Sequence, residues 1–519
     1  VWATELRRYA QREQLRTERR WWEDNVPASV EPSRAPADKS LRASQAFENE
    51  LDAVETQRLL ESAPRAYRMR VDEVLLTALV RALAETNGRS GVLVELEGHG
   101  RETVSEQVDV SRTVGWFTTR FPLWLEAESA AAASLVQVKE RLRAVPVKGF
   151  HFGLFRYSQP TDLGAFSVPF ARPDVSFNYL GQFDQALQSG GRFTFASENA
   201  GTDVDLAGDM AHGLSLNALI ANGCLSVSLR LRADFAKSVS ADDFVATYAR
   251  TLRELIEHCA QAPRGATASD FPLARLSQAQ LERLDLPLAQ VDDLYPATPL
   301  QQGFVFHGIE RSTDGVYVYQ LCLTLSGELK VPAFEAAWRE LLARHAVLRT
   351  HFDWRHAERV LQVVRQRVVV PFSHHDWSRA PDYDARFAAF RRDDVAAGFD
   401  LAQAPLFRVS VFARPDGMHD VVWTVHHAIS DGWSSARLVN ELIELYAARA
   451  QGLETAGNSV RPYRDYVQWL ASRPDTSEWW QRVLTGHDAA AKLEALGRAR
   501  ALEAGTHHLR AALPQGLSR

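Results

Sequence analysis

Two adjacent histidines followed by an aspartate and a glycine, HHAISDGWSS over residues 426–435, are the side chains best suited to chemistry in this sequence. An imidazole with an ordinary pKa near ~6.5 takes up and releases a proton close to neutrality. The group follows a β-branched run (421–425) and precedes a stretch (433–448) with Leu438, Leu442, Leu445 and Tyr446 at helical spacing. A loop between a strand and a helix presents side chains from a rigid base. Alternation along the strand puts Trp423, Val425 and His427 on one face and Val422, Thr424 and His426 on the other, so only one of the two imidazoles can face reacting atoms. Asp431 is read as the partner of an arginine that fixes the loop, with Arg349 in RHAVLRTHF (344–352) as the candidate. An HxxxD alone is usually an ordinary surface or core histidine. The pairs His374-His375 and His507-His508 lack the following DG after an apolar strand. No third ligand stands at metal-binding spacing, so zinc is not expected.

The first half offers a carboxylate. VELEGHGRE (94–102) ends a strand on Glu97, followed by Gly98-His99-Gly100, and Glu95 and Glu97 share a strand face with Leu93. PDVSFNYLGQFD (173–184) puts Val175, Phe177 and Tyr179 on one face by the same alternation. Read alone, Glu97 is a polar strand end and Tyr179 is equally well a core residue.

Around these residues, helix and strand patterns alternate. Apolar residues at Val71, Leu75, Ala78, Leu79 and Ala82 predict a helix over 71–84 stopped by Gly88. Strands are predicted over 92–97, 174–183, 347–352 and 421–425, and helices over 333–346 and 433–448. The mixture predicts an α/β (α+β layered) fold.

A chain of 519 residues holds roughly three to four average domains. With 59 basic against 65 acidic residues the net charge is −6, which excludes the broad basic field of a nonspecific nucleic-acid binder. Three scattered cysteines without a CxxC support neither a disulfide framework nor a zinc ribbon and fit a reducing cytoplasm. No apolar run reaches the roughly 18 to 20 residues of a membrane span, and the first residues have no signal-like core.

The two ends resemble each other. Residues 7–26 and 464–484 each run from a tyrosine through a polar helix to a tryptophan pair, Trp21-Trp22 or Trp479-Trp480, at an offset of about 457 residues. Residues 42–60 and 507–519 are loosely alike at a similar offset. This spacing predicts the back part of one unit joined to the front part of the next. AQAPRGATASDF (260–271) divides them, giving 1–261, an interdomain linker over 262–290, and 291–519.

HHAISDGWSS, with DLYPATPLQQGFVFHG (293–308) and RHAVLRTHF, resembles the condensation domain of nonribosomal peptide synthetases, in the form that accepts a donor ending in a D-residue. EGHGRE, VGWFTTRFPLWL (114–125), FNYLGQFD and HGLSLNALIANGCLSV (212–227) resemble the C-terminal half of the epimerization domain of the same synthetases. The resemblance implies two chloramphenicol-acetyltransferase-like lobes, one from each of two consecutive units. It implies that His427 acts on the incoming amine, that His426 and Asp431 complete the signature with Asp431 structural, and that Gly432 keeps the turn open for a thioester. Glu97 would transfer a proton at the α-carbon against a histidine loop from an earlier stretch, and Tyr179 would help stabilise the enolate-like intermediate or assist reprotonation. No cofactor or metal is implied as directly bound. The substrate tether is the phosphopantetheine arm of a peptidyl carrier domain, and adenylation domains are the other expected partners. HxxxDG alone also fits a freestanding CoA-dependent acyltransferase, and the lobes alone a noncatalytic carrier-docking module.

Overall fold

The computed structural model describes residues 2–10, 14–27, 44–88, 91–103, 108–157, 172–183, 205, 207–238, 240–310, 317–453 and 460–486. Residues 507–519, with the second histidine pair and the end of the loose repeat, lie outside them. The chain forms two compact units, 1–464 and 465–519.

In the first half, strands β1 (Gln45–Leu51), β2 (Gly91–Gly98), β3 (Thr119–Glu126), β4 (Val175–Gln182), β5 (Leu214–Ala221) and β6 (Cys224–Leu231) form one mixed sheet ordered β1-β6-β5-β4-β2-β3. β4 runs parallel to β2 and to β5, and the other pairs are antiparallel. Alternate positions of β4, β5 and β6 are apolar and buried, among them Phe177, Leu216 and Leu229. They join one core with the helices Ala53–Tyr67, Val71–Asn87 and Ala241–Gln261. The positions between them are Ser176, Asn178, Ser215, Asn217, Ser226 and Ser228, a polar second face. The predicted helix over 71–84 runs to Asn87 and stops at Gly88, whose φ of 67° is the left-handed conformation that glycine adopts without strain.

The second half has β7 (Val291–Pro296), β8 (Val318–Leu325), β9 (Thr350–Asp353), β10 (Leu361–Arg365), β11 (Phe372–Asp376), β12 (Phe407–Ala413) and β13 (His419–His426). They make an antiparallel sheet β7-β10-β9 and a mixed sheet β11-β12-β13-β8 in which only β11 and β12 are parallel. The helices Val331–Arg344 and Gly432–Ala450 share a core with Phe407, Trp423 and Val425. Val422 and Phe412, on the other face, meet Tyr383, Phe387 and Phe390 of the helix Tyr383–Ala396. The strand predicted over 347–352 is half realised. Residues Ala346–Arg349 form a 3-10 turn that buries Leu348 and Arg349, and β9 starts only at Thr350.

The stretch read as a linker, 262–290, is itself folded. Ala266, Phe271, Ala274, Leu281 and Leu284 form a core with Val291, Leu294, Leu361 and Val363. Toward the first half it presents Asp270, whose carboxylate takes Lys139 Nζ and Arg143 Nη1, each at 2.7 Å, while Arg143 Nε reaches Glu73 at 2.8 Å. Glu73 and Lys139 are wholly buried. A Pro-, Ala- and Gly-rich composition thus covers regularly spaced apolar anchors, which pack where a tether would stay solvated.

In the second unit, the helix Ser477–Leu484 carries Trp479 and Trp480, edge-on at 4.6 Å. Trp21 and Trp22 in the helix Gln14–Asn25 make the same contact at 4.9 Å. Trp22 is fully buried against Phe121 and Phe152, whereas Trp480 is half exposed.

Candidate functional site

β13 is an interior strand, paired on one side with β12 and on the other with β8. Its ladder ends on His426, whose N–H donates to the Leu406 carbonyl at 3.0 Å, and the His427 N–H donates to the Tyr317 carbonyl at 2.8 Å. The two imidazoles part there. His426 is buried at 3 % exposure, lies edge-on to Phe399, and its Nδ1 accepts the Ala428 N–H at 3.1 Å. His427 is exposed, its ring flanked by Tyr319 at 4.6 Å and Phe304 at 6.1 Å. His427 Nδ1 lies 3.1 Å from the Ser430 carbonyl oxygen. A carbonyl only accepts, so Nδ1 carries the hydrogen and the Nε2 lone pair is left for a proton from outside. The arrangement suits general base or acid work on a group that approaches from solvent.

Asp431 caps the helix Gly432–Ala450, its Oδ1 accepting the Ser434 N–H at 2.8 Å. That backbone hydrogen bond, with the Ser434 hydroxyl and the nearby His427, holds its carboxyl below the usual range. The expected partnership with Arg349 is not found. Arg349 donates to Asp292 Oδ2 at 3.2 Å and to the carbonyls of Arg365 and Gln366, because the 3-10 turn buries it beside β10 while the helix start already occupies Asp431. At Gly432 a Cβ would meet nothing within 4 Å, so there is open space beside the turn.

Three residues that sequence reasoning leaves unassigned grip this loop. Gln301, from the helix Pro299–Glu310, donates to the Ala428 carbonyl at 2.9 Å. The Tyr319 hydroxyl shares a 2.7 Å hydrogen bond with Ser435 Oγ, which donates to the Asp431 carbonyl at 2.8 Å. Gln301 and Tyr319 lie more than a hundred residues before the loop, so no local spacing announces them. The only signal is that TPLQQG and the histidine loop occur together.

Glu97 lies near the end of β2, where the strand face opens from buried Leu93 through half-buried Glu95 to exposed Glu97. Asn178 Nδ2 donates to Glu97 Oε2 at 3.2 Å. Tyr179 is on the alternate face of β4, against the main core. Burial, with the charge of Asp72 adding to it, pushes its phenol up to about 12. Asn178 rather than Tyr179 is therefore the β4 side chain beside Glu97. Glu95 Oε1 meets His212 Nε2 at 3.3 Å and Arg120 Nη1 at 3.1 Å. Burial opposes its ionisation, but His212, Arg120 and Arg156 together hold the carboxyl low. Among the described residues no cluster of His, Cys, Asp or Glu could hold a metal ion, and no helix is long and apolar enough to cross a membrane.

The chain is 36% identical over 498 residues to a linear gramicidin synthase polypeptide of Brevibacillus parabrevis, covering 93% of this chain and 10% of that protein. It is 32% identical over 545 residues to a chondramide synthase of Chondromyces crocatus, covering 95% of this chain and 14% of that one. The chain thus spans less than a fifth of the length of these two relatives. Among solved structures it is similar to the epimerization domain from the third module of tyrocidine synthetase B, at 31% identity and a TM-score of 0.44 over 50% of this chain and 59% of that one. The condensation domain family model matches residues 1–271 and again residues 291–508. With nearly its whole length matched in two successive segments, the chain belongs to the condensation domain family.

Proposed function

We propose that this chain is a stretch of a modular nonribosomal peptide synthetase in which an epimerizing unit hands a D-configured donor to a condensing unit. The observation that carries the reading is the exposed His427, its Nδ1–H tied to the Ser430 carbonyl and Nε2 left open at the end of an interior strand. A thioester is already activated, so amide formation needs an unprotonated, aligned amine. The amine nitrogen attacks the thioester carbonyl carbon and the carbon–sulfur bond breaks. His427 Nε2 takes the amine proton, and the leaving thiolate receives a proton in return. No metal or covalent nucleophile enters the balance. Both substrates arrive on phosphopantetheine arms of peptidyl carrier domains, loaded by adenylation domains of the same cytoplasmic synthetase.

In the first half, Glu97, oriented by Asn178, exchanges the α-proton of a carrier-bound aminoacyl or peptidyl thioester, with a histidine loop from an earlier stretch on the opposite side. The phrases EGHGRE and FNYLGQFD support this reading, as does the hydrogen bond that holds Glu97 at the sheet edge. The proposed division at 262–290 is supported by the two matched segments and the repeated tryptophan pair.

The test is chiral mass spectrometry of carrier-bound intermediates in the synthetase. His427→Ala should stop elongation, by ~10²- to 10⁴-fold, and leave a D-configured donor waiting upstream. Glu97→Gln should leave that donor in the L-form. Unchanged peptide formation in His427→Ala would leave only a docking role for the second half.

A further inference from the structure

Gln301 is buried at 4 % exposure and makes four hydrogen bonds with its side-chain amide. Oε1 accepts the Thr298 N–H at 2.9 Å and the Thr298 hydroxyl at 3.1 Å. Nε2 donates to Gln362 Oε1 at 2.9 Å and to the Ala428 carbonyl at 2.9 Å. Two lone pairs and two N–H donors are all that a primary amide has, so none is spare. The acceptor side belongs to the start of its own helix. Thr298 is the N-cap residue, Pro299 opens the helix, and Gln301 returns to the Thr298 backbone as in a capping box. The donor side belongs to other elements, because Gln362 in β10 donates onward to the Pro296 carbonyl at 3.0 Å and Ala428 is the residue after His427.

We propose that Gln301 is a positioning residue that sets the orientation and tautomer of His427. The proposal rests on reading His427 as the acid–base group. The path is short. Gln301 fixes the Ala428 carbonyl, and the turn from His426 to Ile429 closes over it by a 3.1 Å backbone hydrogen bond. Ser430 follows, and its carbonyl is the acceptor that keeps the hydrogen on His427 Nδ1. The same helix supplies Phe304, stacked at 22° on the imidazole, so rotation of this helix moves the ring's wall and the loop's anchor together. Losing a donor inside a buried network leaves the Ala428 carbonyl unpaired, and the loop turns to recover a partner.

The experiment uses ¹⁵N-histidine-labelled chain, with the His427 resonances identified by their loss in His427→Gln. The unmodified chain should give the shift pattern of one neutral tautomer, protonated at Nδ1. Gln301→Met keeps the shape and removes both donors, and Gln301→Glu keeps size and acceptors. Either should give a mixture of tautomers, with kcat for amide formation in the synthetase lower by roughly 10- to 100-fold and KM unchanged. Thr298→Val, which weakens the helix start without touching the donor side, should leave the His427 pattern as it was. Unaltered His427 resonances in both Gln301 variants would overturn the proposal, whatever the rate. Altered resonances with an unaltered rate would instead keep Gln301 as the positioning residue and overturn the catalytic reading of His427.

Discussion

The histidine loop and the Glu97 strand end are both places where a sheet passes its chain to a loop, and they are held very differently. His427 follows an interior strand, and helices before and after it and a neighbouring strand each contribute a side chain to the turn. Among the described residues Glu97 has one side-chain hydrogen bond, from Asn178, and the tyrosine expected to act with it lies on the alternate face. A base that must keep one nitrogen free needs its tautomer fixed before substrate arrives, and fixed dipoles do that without reorganisation. A carboxylate needs no tautomer and tolerates an open setting. On the proposed reading, the second half carries a preorganised base, while the carboxylate of the first half would work with groups supplied opposite it.

The sharpest way to break the comparison is to separate the halves mechanically. Asp270→Ala leaves Lys139 and Arg143 without their shared carboxylate in a buried site, which should cost about 3–5 kcal/mol. Urea unfolding of the chain should then show the first half losing structure at lower denaturant than the second. A loss below ~1 kcal/mol would mean that the joint is solvated and the halves are independent.

A second prediction assigns opposite pH limbs to the two regions. His351 in β9 is 7 % exposed, and burial, with Arg365 adding repulsion against the pull of Asp353 and Asp400, lowers its pKa to about 4. The native state then binds fewer protons than the unfolded chain. This contribution is complete above about pH 6.5 and is lost as pH falls toward 4, by at most on the order of 3 kcal/mol. Tyr179 runs the other way. Raised to about 12, it favours the fold below about pH 10, and that advantage disappears as pH rises toward 12. Melting curves of His351→Gln should flatten the acid limb only, and those of Tyr179→Phe the alkaline limb only; a crossed result would reverse the assignment.

Periodicity makes the supports legible and leaves the partners hidden. The helix over 71–84 and the strands β4 and β13 are legible from their apolar residues, although only β4 is one-sided: β13 meets a core on both faces and the helix is buried nearly all round. The opposed directions of His426 and His427 follow from the same alternation. Arg349 cannot be placed this way. An arginine in one motif and a carboxylate in another suggest a pair, but the choice between Asp431 and Asp292 is made by where a 3-10 turn buries the guanidinium. Gln301, Tyr319 and Asn178 are illegible for a related reason, since each reaches its partner across a sheet or between elements distant in sequence. The packing within 262–290 is hidden for another reason: proline and glycine mark backbone geometry and say nothing of the apolar residues between them.

The smallest expected effect concerns Asp431, which is expected to be structural and caps a helix in place of pairing with Arg349. As an N-cap it satisfies the Ser434 N–H at the helix start, and Asp431→Ala should cost about 1 kcal/mol, while Asp431→Asn, which keeps an acceptor oxygen, should cost a few tenths. The carboxyl is held low by that same N–H, so its contribution is present above about pH 4 and is lost as pH falls through the lowered native value. Asp431→Asn should therefore match the unmodified chain near neutrality and lose less on acidification. The Ser430 and Asp431 carbonyls keep their partners in His427 and Ser435, so the imidazole stays in place and amide formation in Asp431→Asn falls far less than in His427→Ala. Equal losses in the two variants would mean that the cap, as much as the imidazole, touches the chemistry, and that the loop works as one unit instead of a single base on a rigid mount.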